Sequence, residues 1–69
     1  MKIFAERHKE LRQEKHLNQK EFAKLVDISS GIISYYEQDK VDPSLENLVK
    51  IAKFFDCSID YLAGLEDFY

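Results

Sequence analysis

The chain has little of what small domains use as staples and punctuation. It carries one cysteine, Cys57, so no disulfide can close within it. Two histidines, His8 and His16, with that single thiol make no structural zinc set, and the acidic residues are scattered without the spacing of a calcium loop. One proline and two glycines leave few breaks for helices and exclude a phosphate-cradling glycine loop. No apolar run approaches the ~18 residues that a membrane-spanning helix needs. The opening Met1-Lys2-Ile3-Phe4-Ala5-Glu6-Arg7 turns charged too early for a secretory signal. The expectation is a cytoplasmic chain with Cys57 reduced, no metal, no cofactor, no small-molecule ligand and no membrane partner.

What is present fits one domain, residues 1–69, with 45% hydrophobic and 33% charged residues. A chain this short buries only about 60% of the surface its unfolded form exposes, so stability must come from packed helices or from a partner chain. The net charge of −3 by itself argues against a nucleic-acid partner. Its distribution softens that objection. Residues 1–24 hold seven basic residues (Lys2, Arg7, Lys9, Arg12, Lys15, Lys20, Lys24) against four acidic ones, and residues 25–69 hold three against nine.

The apolar spacing predicts only helices. Phe4, His8 and Leu11 fall at i, i+4 and i+7, giving a first helix over about Lys2 to Lys15. Asn18 is an N-cap whose backbone N–H Glu21 can bond in return, and Phe22, Ala23, Leu25 and Val26 form the inner face of a second helix ending near Asp27. Ser29 caps a third, with Ile33, Tyr36 and Ile32 on its buried stripe, stopping around Gln38-Asp39. A fourth opens at Pro43 or at a Ser44 cap and buries Leu45, Leu48, Ile51, Ala52 and Phe55. Ser58 caps a short fifth over Ile59 to Ala63, with Gly64 as its left-handed end. The fold class is all-α, a compact five-helix bundle.

About three residues, Asp27-Ile28-Ser29, join the second and third helices. So short a connection forces a steep crossing, the geometry of a helix-turn-helix. The third helix then presents Ser30, Gly31, Ser34 and Tyr35 outward, small or polar groups that a major groove admits. Spacing alone favours an ordinary solvated helix face, because helix pairs joined by short turns are common.

The run Leu11-Arg12-Gln13-Glu14-Lys15-His16-Leu17-Asn18-Gln19-Lys20-Glu21-Phe22-Ala23 resembles the opening of XRE-family, lambda-repressor-like helix-turn-helix DNA-binding domains. Val26 to Glu37 is similar to their turn and recognition helix, Pro43 to Ala52 to their fourth helix and Ser58 to Leu62 to their fifth, so the likeness covers roughly residues 5–64. The resemblance implies a sequence-specific transcriptional regulator, a repressor that binds a palindromic operator in double-stranded DNA as a homodimer and acts by occlusion. It implies that Ser30, Gly31, Ser34 and Tyr35 face bases, and that Arg12, Gln19, Lys20 and Lys40 meet phosphates. Gln19 also braces the recognition helix in this reading, and Arg12 with Glu37 ties the first helix to the third.

Two serines, a glycine and a tyrosine offer no bidentate base reader, so specificity is expected to lean on DNA shape and dimer spacing. Asp39 and Asp42 flank Lys40 and would repel phosphates. A second reading therefore keeps the fold but makes it a protein-binding module, an antagonist of another regulator or an oligomerisation domain. An enzyme is not expected: His8 sits on the apolar face as a half-buried core residue, and no nucleophile lies near either histidine. Cys57 reads as a small, partly buried filler in the turn before the last helix. The tail at 65–69 is the remaining apolar surface. Leu65, Phe68 and Tyr69, with Ile59, Tyr61 and Leu62, are expected to form a dimer interface, or to fold back on the domain's own core.

Overall fold

Every helix but the first starts at an oxygen-bearing cap. In the computed structural model, which describes residues 1–68, the order is α1 (Lys2–Glu14), α2 (Gln19–Val26), α3 (Ser30–Glu37), α4 (Leu45–Phe55) and α5 (Ile59–Ala63), with no strand among the described residues. Ahead of α2, Asn18 Oδ1 accepts from the Glu21 N–H (2.7 Å) while Glu21 Oε1 accepts from the Asn18 N–H (2.9 Å), the reciprocal box the sequence predicts. Ser29, Ser44 and Ser58 accept from the N–H groups of Ile32 (3.2 Å), Asn47 (3.1 Å) and Tyr61 (2.9 Å). The Ser44 bond decides the start of α4, with Pro43 placed before the cap.

The helix ends are abrupt for a matching local reason. Asp27 (φ 56), Asp39 (φ 57), Asp56 (φ 53) and His16 (φ 58) take the left-handed conformation, and only Gly64 (φ 84) does so as glycine. Aspartate tolerates that region because its short polar side chain bonds locally, at some cost relative to glycine.

Helix α1 packs on α3 and α5, α2 on α3 and α4, and α4 on α5. Phe4, Phe22, Ile33, Ile51 and Leu62 are at most 1% exposed and form the centre. Phe22 stacks on Phe55 (centroids 5.2 Å apart), and Phe4 stacks on His8 (4.4 Å), which is completely buried rather than half-buried. Cys57 is half-buried as expected, and burial, then the charge of Asp56, pushes its thiol up.

Three apolar residues predicted to be inside lie outside: Leu25 (58% exposed), Ile32 (36%) and Leu45 (71%). At ~100° per residue, Phe22, Ala23 and Val26 span one arc of α2 and Leu25 falls beyond its edge. Ile32 is displaced in the same way from Ile33 and Tyr36. Leu45 sits in the first turn of α4, before Leu48, where that helix first reaches the core.

Candidate nucleic-acid interface

The α2–α3 corner is built by its turn. Asp27 breaks α2 in the left-handed conformation, the Ile28 N–H bonds back to the Ala23 carbonyl (3.0 Å), and Ser29 restarts the chain as α3. With Ile33 and Tyr36 buried, Ser30, Gly31 and Tyr35 are exposed on the outer face and Ser34 is half-buried. The structure thus brings all four predicted base-facing residues to one surface. Ser34 Oγ accepts from Gln38 Nε2 (2.7 Å), and Lys40 Nζ lies 5.8 Å from the centre of the Tyr35 ring. Sequence reasoning missed Gln38, whose only signal is its i+4 spacing from Ser34. Asp39 and Asp42 both bond the Met1 ammonium, which offsets their charge beside Lys40.

Behind this face a buried polar network fixes α3 against α1 and α2. Arg12 meets Glu37 as a fork, Nε to Oε2 at 2.7 Å and NH2 to Oε1 at 2.9 Å, and its NH1 donates to the Leu17 carbonyl at 2.6 Å. Gln19 Nε2 donates to Glu37 Oε1 (3.1 Å), so Gln19 braces α3. Burial alone would push the Glu37 carboxyl up, but the bonds from Arg12 and Gln19 and the Arg12 charge together hold it below the usual carboxylate range. His8 Nδ1 donates to the Phe4 carbonyl (2.7 Å), which leaves Nε2 as a buried lone pair with no hydrogen-bond partner, 4.0 Å from Glu37 Oε2. Burial, first, holds the His8 pKa below its ordinary value.

Arg12 therefore has every guanidinium nitrogen engaged inside the fold, and its side chain is 10% exposed. As the chain stands, it orients the corner rather than reaching outward to a phosphate. The outward groups are Gln19 and Lys20 in the first turn of α2, which with Lys9, Asn18, Arg12 and Glu37 line an open cleft of about 480 Å³. Lys9 was missed; it lies three residues before Arg12, on the same face of α1. Asn47 Nδ2 donates to the Tyr36 hydroxyl (2.9 Å), tying α4 to α3 internally.

The expected dimer surface divides. Tyr61 (8% exposed) and Leu62 (0%) belong to the chain's own core, because α5 has just over one turn and uses it against α1 and α4. They are removed from the interface set. Ile59 is half-buried, Leu65 (77%) and Phe68 (82%) are exposed, and Tyr69 lies outside the described residues. Ile3, which the sequence reading did not single out, is exposed beside Gly64: a Cβ there would stand 2.9 Å from Ile3 Cδ1.

The helix-turn-helix family model matches residues 9–62, from the α1 cleft residue Lys9 to the core residue Leu62. The chain belongs to the XRE-type helix-turn-helix family. It is 38% identical over 61 residues to the HTH-type transcriptional regulator ImmR of Bacillus subtilis, a match covering 88% of this chain and 48% of that protein. The chain thus spans about half the length of that relative. A crystal structure of the P22 c2 repressor in complex with a synthetic operator superposes with a TM-score of 0.80 at 34% identity, covering 86% of this chain and 89% of that one. The restriction-modification controller protein C.AhdI of Aeromonas hydrophila superposes equally well (TM-score 0.80, 30% identity, 88% and 92% covered).

Proposed function

We propose that this chain is the DNA-binding unit of a transcriptional repressor that occupies a palindromic operator as a homodimer and acts by occlusion. The observation that carries the reading is the α3 face: small polar groups and Tyr35 are held outward on a helix that Arg12, Gln19 and Glu37 fix from behind. Its likeness to a domain solved on operator DNA supports the same assignment. Ser30, Ser34 and Tyr35 meet base edges and Gly31 lets the helix approach closely. Gln19, Lys20, Lys40 and the added Lys9 meet phosphates and set the register. Leu65, Phe68 and Ile59, extended by Ile3, form the dimer contact, and a two-fold pair of recognition helices would reach major grooves ~34 Å apart.

Salt-titrated fluorescence anisotropy on a random 20-base-pair duplex tests the phosphate assignment. Affinity is expected to fall steeply as salt rises. Lys40→Ala should weaken all duplexes nearly equally and reduce the salt slope by about one unit. An unchanged slope removes Lys40 from the contact set. No binding at low salt, with the chain folded, transfers the fold to the protein-binding reading that the net charge of −3 favours.

A further inference from the structure

The acidic half of the chain, residues 25–69, has only three basic residues, Lys40, Lys50 and Lys53, and two of them stand together away from α3. Lys50 and Lys53 line a groove of about 390 Å³ between α2 and α4, with Leu25, Val26, Asp27 and Phe54. Its floor is apolar. Leu25 is 58% exposed, and Phe54 is half-buried with its ring edge-on to Phe22 and Phe55. Its rim is basic. Lys15 Nζ stands 5.8 Å from the centre of the Phe54 ring, adding a third cation from the end of α1. Asp27, the acid in the wall, is compensated: Lys50 Nζ donates to its carbonyl (3.1 Å) and lies 4.0 Å from its carboxylate. Lys53 has no carboxylate partner among the described residues.

None of these residues belongs to the recognition face, the α2 cleft or the Leu65–Phe68 tail. We propose that the α2–α4 groove is a second, independent docking site, for an acidic amphipathic helix of a partner protein. Charge complementarity selects the occupant. An apolar anchor from the partner would cover Leu25 and the Phe54 ring, while carboxylates one turn to either side meet Lys53, Lys15 and Lys50. A basic or neutral apolar helix would leave the Lys53 and Lys15 ammonium groups facing like charge or hydrocarbon, and is disfavoured. The inference does not rest on DNA binding, because a chain with no DNA affinity would keep this groove.

The test is a two-dimensional amide NMR titration with a synthetic, end-capped 14-residue helical peptide bearing Leu and Phe at i and i+4 with Glu on the flanking positions. The same peptide with Lys for Glu is the control. Saturable shifts are expected at Leu25, Val26, Lys53 and Phe54, with the Lys peptide bound at least tenfold more weakly. Leu25→Asp, at an exposed position, and the Lys50→Glu/Lys53→Glu pair should each weaken binding at least tenfold while the DNA salt slope stays as in the parent. Four results overturn the proposal: no shift at millimolar peptide, shifts confined elsewhere, equal binding of the two peptides, or a reduced DNA salt slope in the Lys50→Glu/Lys53→Glu chain. Self-association of the chain alone that Leu25→Asp abolishes would also overturn it, by giving the groove to a second copy.

Discussion

At the scale of single residues, Gly31 is the most informative position on α3. Its backbone is helical, and a Cβ built there meets nothing within 4 Å, so no internal contact requires glycine. A glycine inside a helix costs about 0.5–1 kcal/mol relative to alanine. Gly31→Ala should therefore stabilise the chain by roughly that amount in urea unfolding. If DNA passes closely over this face, the same methyl weakens DNA binding by about 1 kcal/mol. A stabilised variant with undiminished affinity would move the DNA away from Gly31. Tyr35 gives the complementary prediction: Tyr35→Ala should change which sequences are preferred, and identical selectivity by competition would exclude base contact. The four outward α3 residues were readable from spacing and resemblance together. Gln38 was not, because its i+4 spacing from Ser34 permits but does not require its side chain to turn back onto that serine.

At the scale of elements, α3 is held by ionic and polar bonds that depend on pH. The folded-state pKa of Glu37 lies below its unfolded value of ~4.3. Its contribution is complete above that value and is lost as pH falls through the folded pKa, since the unfolded chain then binds the extra proton. His8, also lowered in the fold, behaves alike from a higher start: stability begins to fall once pH drops below about 6.5. Melting temperature against pH should thus decline in two stages on the acid side. His8→Phe, which keeps a ring stacked on Phe4, should remove the upper stage, and persistence of that stage would clear His8. Glu37→Gln should cost about 3 kcal/mol, because it strands the buried Arg12 charge. Denaturant unfolding of that variant checks the value, and a loss under 1 kcal/mol would mean that water reaches the network. The element boundaries were legible because caps are local: Asn18 with Glu21, Ser29, Ser58 and Gly64 each act within four residues. The buried faces were less so. Whether Leu25, Ile32 or Leu45 is covered depends on where a neighbouring helix lies, and the pattern of one helix does not contain that.

For the whole molecule, the proposed homodimer needs a surface on which two copies could meet. Assigning Tyr61 and Leu62 to a partner overlooked that a bundle of this size needs both for its own centre. What remains of the set is exposed Leu65 and Phe68 and half-buried Ile59, with exposed Ile3 beside Gly64. Leu65→Asp should weaken self-association at least ~10-fold by sedimentation and lower DNA affinity with it, without loss of helicity. Undisturbed association would place the dimer contact elsewhere. The most direct measurement is selection of duplexes from a random pool at stated salt, with the chain concentrated enough to pair. Operator binding by a two-fold pair of α3 helices requires enrichment of a palindrome with half-sites about 10 base pairs apart, centre to centre. A folded, dimeric chain that enriches nothing would contradict it and leave the helix-turn-helix as a scaffold for protein contacts.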